Sequence, residues 1–327
     1  MTAAPLEALH AQARKAPKRI LLSEGIDPRV REGGLRAHRD GLAQIAFVGP
    51  EADICPHLGG AEIPVHDPAT SDRRAALIAA FLDARKHKSP TRDQAEAAIS
   101  DPLLFAALMV RTGQADGTIG GAVATTADTV RAALLGIGRA EGVETVSSFF
   151  LMVLPATPDH PARPVIFSDC GMVVDPTAPQ LAQIATASAA SYTRLVGADP
   201  RIAMLSFSTG GSATHPAVTK VQEATALLKT LSPDLAVDGE MQFDAAIVPS
   251  VGTRKFPGSA VAGHANVFIF PNLDAGNIGY KIAQRVGGAT AIGPVLQGLA
   301  HPANDLSRGC TASDVYDLIA VTVLQAG

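Results

Sequence analysis

The chain is poor in cysteine. Its 327 residues hold three, Cys55, Cys170 and Cys310, with no CxxC pair. An odd number without paired spacing argues against a disulfide framework and fits a reducing compartment. Long apolar runs are missing as well: no uncharged stretch approaches the ~20 residues that a membrane helix needs. The segment Met1 to Arg19 mixes Glu7, His10, Arg14, Lys15 and Lys18 with short apolar pieces. It lacks the apolar core of a signal peptide. A soluble cytoplasmic protein without a membrane partner is expected. The net charge is only −4, which disfavours a nucleic-acid scaffold. The nine histidines show neither HExxH nor finger spacing, so no metal is expected. No GxGxxG follows the first strand, because Gly117-x-x-Gly120-Gly121 has the wrong spacing. That disfavours a dinucleotide-binding dehydrogenase.

What is present is ordinary globular material, 47% hydrophobic and 18% charged, on a chain long enough for two domains. Strand-like runs alternate with helical patterns. Strands are expected at Arg19–Ser23, Gln44–Val48, Gly117–Gly121, Thr145–Leu154, Pro164–Asp169, Ile202–Phe207, Val267–Pro271 and Ala289–Pro294. Helices are expected over 28–40, 75–88, 102–112, 178–195, 217–229, 278–286 and 313–324, with a loop over 272–277. Such alternation implies α/β architecture with a parallel sheet covered on both faces. The Phe149–Pro164 passage, which includes the loop Pro155–Pro164, is a reasonable crossing between domains, with a return near residue 297. No repeat or low-complexity segment is seen.

Chemistry concentrates near Pro302-Ala303-Asn304-Asp305-Leu306-Ser307-Arg308-Gly309, followed by Cys310 and Asp314. Arg308 can make two parallel bonds to phosphate, and Ser307 can donate to an oxyanion. Gly309 lets backbone come close. Alone, the tripeptide is also an ordinary turn. Thr311-Ala312-Ser313-Asp314 has capping-box spacing, and the same carboxylate could serve as a general base. An ordinary Asp near pKa ~4 is a weak base for a thiol near ~8.5, and burial would narrow that gap. Ser208-Thr209-Gly210-Gly211-Ser212 follows a strand and precedes a helix, where α/β sheets place ligands. It lacks the Lys-Ser/Thr pair of a P-loop and reads equally as a tight turn. Arg85-Lys86-His87-Lys88 complements a helix dipole, and Arg131 pairs with Asp128 at i, i+3. Each is also a candidate phosphate contact. Cys170 and Cys310 read as packed thiols.

Several collinear blocks resemble phosphate acetyltransferases. They are Arg85–Lys88, Thr125–Arg131, Leu205–Ala213, Lys220–Ala224, Asp238–Ala246, Asn266–Pro271, Gly276–Lys281 and Pro302–Gly309. The resemblance implies a two-domain, three-layer α/β/α fold similar to the isocitrate/isopropylmalate dehydrogenase group, with the active site in an interdomain cleft. Domain I would comprise 1–145 and 298–327, and domain II 146–297. It implies reversible acetyl transfer between coenzyme A and phosphate, with acetyl-CoA, phosphate and acetyl phosphate as substrates. No cofactor would be permanently bound, and a homodimer is expected. By position, Asp314 would take the thiol proton, Ser307 would bond the oxyanion and Arg308 would hold phosphate. Arg85 and Arg131 would contact coenzyme A. Thr129, Ser208, Thr209, Ser212, Asn277, Tyr280 and Lys281 are weaker candidates. Competing readings are a butyryl-transferring relative, an acetyl-CoA-sensing module like those fused to malic enzymes, and, by fold analogy alone, a metal- and nicotinamide-dependent decarboxylating dehydrogenase.

Overall fold

Short aliphatic runs build the strands of the computed structural model, which describes residues 3–158 and 160–327. Met1 and Thr2, in the expected leaderless segment, and Asp159, in the expected 155–164 loop, lie outside the described residues. The chain divides into two compact units. One comprises Ala8–Glu144 with Leu299–Gly327; the other comprises Thr145–Gly298 with the chain up to Glu7.

In the first unit, β1 (Arg19–Leu22), β2 (Gln44–Val48), β3 (Val65–His66) and β4 (Gly117–Gly120) form a parallel sheet. In the second, β5 (Ser147–Leu154), β6 (Arg163–Ser168), β7 (Arg201–Leu205), β8 (Ala236–Met241), β9 (Val267–Ile269) and β10 (Thr290–Gln297) form a sheet in the order β10-β5-β6-β9-β7-β8. β11 (Ala303–Asp305) returns to the first sheet, giving β11-β4-β1-β2-β3. The first half of the Pro302–Gly309 block thus holds a strand that was not among those expected. It is an edge strand paired in parallel with β4, and Pro302 accepts a further bond from Thr118 N–H at 3.1 Å. Only Leu306–Gly309 turns.

Helices cover both faces of the first sheet. A Cβ on Gly117 would meet Thr322 of the Ala312–Gln325 helix, and one on Gly120 would meet Leu103 of the Pro102–Arg111 helix. An odd spacing along a strand points to opposite faces. The Ala312–Gln325 helix buries Val315, Tyr316, Leu318 and Ile319 and packs against the Pro28–Arg39 helix. Gly33 permits that approach, since a Cβ there would sit 2.7 Å from both Ala312 O and Val315 Cβ.

The second sheet corrects the all-parallel expectation. β5, β6 and β10 pair antiparallel, while β6, β9, β7 and β8 pair parallel. Among the described residues no helix connects β5 to β6, and a parallel pair needs a long crossover, usually a helix. Phe150, Met152, Val165, Phe167 and Phe268 form the core on this sheet. Helices Ala178–Val196 and Pro216–Leu231 pack on each other.

Two expected helical stretches change their bounds, and one helix was not expected. The expected helix over 75–88 ends at Ala84, and Lys86–Lys88 is a separate 3-10 turn. The expected loop over 272–277 is helical: Leu273–Arg285 is one helix, capped by Asn272, whose Oδ1 accepts from Ala275 N–H at 3.0 Å. A helix at Arg92–Ala98 carries a capping box that pattern reading passed over. No helix among the described residues is long and apolar enough to cross a membrane.

Candidate active site

β11 ends at Asp305, and the chain turns through Ser307, Arg308 and Gly309 into the Ala312–Gln325 helix. The turn is exposed. Ser307 Oγ accepts from Gly309 N–H at 3.2 Å, leaving its own proton free to donate. The Arg308 guanidinium has no hydrogen-bond or ion-pair partner among the described residues. Its backbone, by contrast, is held. Arg29 Nη1 donates to Arg308 O at 2.7 Å and to Cys310 O at 3.1 Å, and Arg29 Nη2 donates to Ala122 O at 2.9 Å. Arg29 is itself fixed by the Asp27 carboxylate at 2.8 Å, and that bond holds Asp27 below the usual carboxylate range. Asp27 also caps the Pro28–Arg39 helix. One buttress thus sets the turn, and sequence reading missed it. The Asp27-Pro28 cap was a visible signal; the reach of Arg29 across 279 positions was not.

Asp314 is the third residue of its helix and closes the capping box. Its Oδ2 accepts from Thr311 N–H at 2.8 Å and from the Thr311 hydroxyl at 2.9 Å. Its Oδ1 has no partner among the described residues, so a lone pair stays available for a proton. The cap uses one oxygen of the carboxylate and leaves the other open. Cys310, between the turn and the helix, is buried, and burial pushes its thiol up.

The same unit holds the other two arginine candidates, Arg131 and Arg85. Arg131 is exposed and pairs with Asp128 at 2.6 Å, the i, i+3 bond expected of it. Thr129 is buried one turn into the Thr126–Gly136 helix. Arg85 is half-buried beyond the Arg74–Ala84 helix, which packs against Thr126–Gly136; its guanidinium has no partner among the described residues.

In the second unit, the Ser208–Ser212 loop is largely self-satisfied. Ser208 Oγ donates to Glu240 at 2.8 Å, and Gly211 N–H donates to the same carboxylate at 2.8 Å. Ser212 Oγ accepts from Thr209 N–H at 3.1 Å, and Thr209 Oγ1 accepts from Gln242 N–H at 2.9 Å. Burial alone would raise the Glu240 pKa, but bonds from Gly211, Gln222 and Ser208 hold it below its ordinary value. An anion already fills this loop. On the Leu273–Arg285 helix, Asn277 donates to Cys170 O at 3.0 Å and accepts from Lys281 Nζ at 2.6 Å. Tyr280 stacks on Phe150 with centroids 3.9 Å apart, and burial raises its hydroxyl pKa.

Comparison with known proteins adds to this geometry. The model of the phosphate acetyl/butaryl transferase family matches residues 5–323. A phosphate acetyltransferase of Paracoccus denitrificans is 49% identical over 325 residues, covering 98% of this chain and 99% of the relative. The solved EutD phosphotransacetylase from Staphylococcus aureus superposes with a TM-score of 0.89 at 42% identity, covering 100% of this chain and 99% of the other. A 4-hydroxythreonine-4-phosphate dehydrogenase from Klebsiella pneumoniae shares the fold alone. Its TM-score is 0.55 at 12% identity, covering 95% of this chain and 100% of that one.

Proposed function

Because the chain belongs to the phosphate acetyl/butaryl transferase family, we propose that this acyltransferase moves an acetyl group reversibly between coenzyme A and inorganic phosphate through the Ser307–Asp314 segment. One observation carries the assignment of roles: a braced turn presents an unpaired guanidinium and a free hydroxyl proton immediately before a carboxylate with one open oxygen.

In the direction of acetyl-CoA synthesis, Asp314 Oδ1 takes the thiol proton of coenzyme A. The thiolate attacks the carbonyl carbon of acetyl phosphate, forming the C–S bond. The electron pair moves onto the carbonyl oxygen, where Ser307 donates a hydrogen bond. The C–O bond to phosphate then breaks, and Arg308 holds the departing phosphate by paired N–H bonds. Arg85 and Arg131 contact coenzyme A. Arg308 is the better phosphate ligand than Ser208, Thr209 or Ser212, whose loop already surrounds Glu240. Thr129, Asn277, Tyr280 and Lys281 are supporting candidates. The two compact units support a division into 1–145 with 298–327 and 146–297 as domains. A cytoplasmic homodimer that binds no permanent cofactor completes the reading.

Release of free thiol from acetyl-CoA, followed with and without phosphate, tests it. Phosphate-dependent release, faster than with butyryl-CoA, is expected. Acetyl-CoA binding without any such release would overturn catalysis in favour of a sensing module.

A further inference from the structure

Four carboxylates are buried among the described residues, Glu24, Asp169, Glu240 and Asp305, and each lies at the carboxyl end of a strand. Three of them hold loops. Glu24 accepts from the N–H groups of Ala122, Val123 and Ala124 at 2.6, 3.1 and 2.7 Å. Asp169 accepts from the Ser148 hydroxyl and from the N–H groups of Gly171, Met172 and Val173. Glu240 accepts from Ser208, Gly211 and Gln222. Asp305 differs. It is fully buried, and neither carboxylate oxygen has a hydrogen-bond partner among the described residues.

A buried polar group without a partner is costly, so its persistence calls for a cause. The surroundings supply one. Gly121, at φ +96, leaves room for the carboxylate, since a Cβ there would collide with Asp305 Oδ1. The hydroxyls of Thr126 and Thr129 lie close enough to favour the ionised form, yet neither reaches hydrogen-bonding geometry. Thr129 Oγ1 instead makes a long 3.3 Å bond to Thr125 O. Two donors and one empty acceptor therefore stand side by side, between the strand that leads into Ser307 and the helix that carries Arg131.

We propose that Asp305 is a positioning residue for acyl transfer: with substrate bound, its carboxylate accepts from Thr126 and Thr129 and so fixes the Ser307–Arg308 turn against the first turn of the Thr126–Gly136 helix. This rests on the roles given above to Ser307 and Arg308. Burial pushes the Asp305 carboxyl up to about 6, with the Thr126 and Thr129 hydroxyls opposing and Glu24 adding to the rise. Glu24 is the one charged group that faces it among the described residues, and the helix offers only hydroxyls. Below that pH the group gains a proton and loses acceptor capacity, so turnover acquires an acidic limb.

The test measures turnover against pH in wild type, Asp305→Asn and Asp305→Ala, with amide hydrogen exchange of residues 125–131 and 306–311. Asp305→Ala should lower kcat on the order of 100-fold with KM little changed, as small misplacements do. Asp305→Asn should recover part of that loss and lack the limb near pH 6. Acetyl-CoA should slow exchange in both segments of wild type and in neither segment of Asp305→Ala. Equal losses of turnover in both variants with the acidic limb retained would overturn the proposal, as would unchanged coupling of the two segments. A wild type without phosphate-dependent thiol release would sink the functional reading instead, while the exchange data would still decide the coupling.

Discussion

Arg29 donates to the carbonyl oxygen of Arg308 at 2.7 Å, so one arginine fixes the backbone from which another projects. The first is braced by Asp27 and one-third exposed, with a side-chain accessibility of 33%. The second is free. A long, rotamer-rich side chain thus projects from a fixed origin, as the phosphate role proposed for it requires.

Removing the brace should therefore mimic a site mutation without touching substrate. Arg29→Ala is expected to lower kcat/KM by roughly 10- to 100-fold, the scale of a misplaced group. It should cost about 1–2 kcal/mol of stability from lost charge-assisted bonds. Arg29→Lys should rescue little, because a point charge cannot span Asp27 and three carbonyl oxygens. Steady-state kinetics and denaturant titration check both.

Substitution can separate the cap that Asp314 makes from the base role proposed for it. Asp314→Ala loses the cap, worth about 1 kcal/mol, and the base, worth on the order of 100- to 10,000-fold in rate. Asp314→Asn keeps an oxygen for the Thr311 N–H and should keep near-wild-type stability while losing the rate. Equal thermal shifts in the two variants would contradict the split.

Arg308→Ala should chiefly raise KM for phosphate and acetyl phosphate, and Arg308→Lys should recover only part of the affinity. Ser307→Ala should lower kcat by roughly 100- to 1,000-fold at near-constant KM. Initial rates with phosphate varied at saturating acetyl-CoA discriminate the two.

Stability should respond to pH in opposite senses at two buried acids. Asp305 has a folded pKa of about 6 against an ordinary 3.8. Its contribution is present below pH 3.8 and is lost as pH rises through about 6, by about 3 kcal/mol at ~1.4 per unit. Asp305→Asn should remove that slope. Glu240 is depressed instead, so its contribution is present above the ordinary 4.5 and is lost as pH falls through its lowered folded value. Glu240→Gln should flatten the acid side. It should leave KM for phosphate unchanged, because the 208–212 loop serves its own carboxylate.

Local pattern carried most of the architecture. β2 falls on Gln44–Val48 as read, and the helices starting at Pro28, Pro102 and Ala178 begin where proline or a cap predicts. The misses share a cause. β11 is three residues long and is a strand only because β4 offers an open edge. The turn of helix at 273–277 is polar and glycine-bearing, yet Asn272 caps it and Gly276 packs against Asp169 and Cys170. Arg29, Glu240 and Asp305 matter through partners tens to hundreds of positions away, and no window along the chain contains both ends of such a bond.

β11 and the Ala312–Gln325 helix follow the whole of the other unit in the chain. On the ribosome, β4 must therefore wait with one edge unpaired, and the groove over Gly33 must wait unfilled, while some 150 residues of unrelated sheet emerge. A bare strand edge invites pairing with a neighbouring chain. The strand that leads straight into the turn is thus also the latch that covers an aggregation-prone edge, and truncations that spare every other element should still fail by clumping.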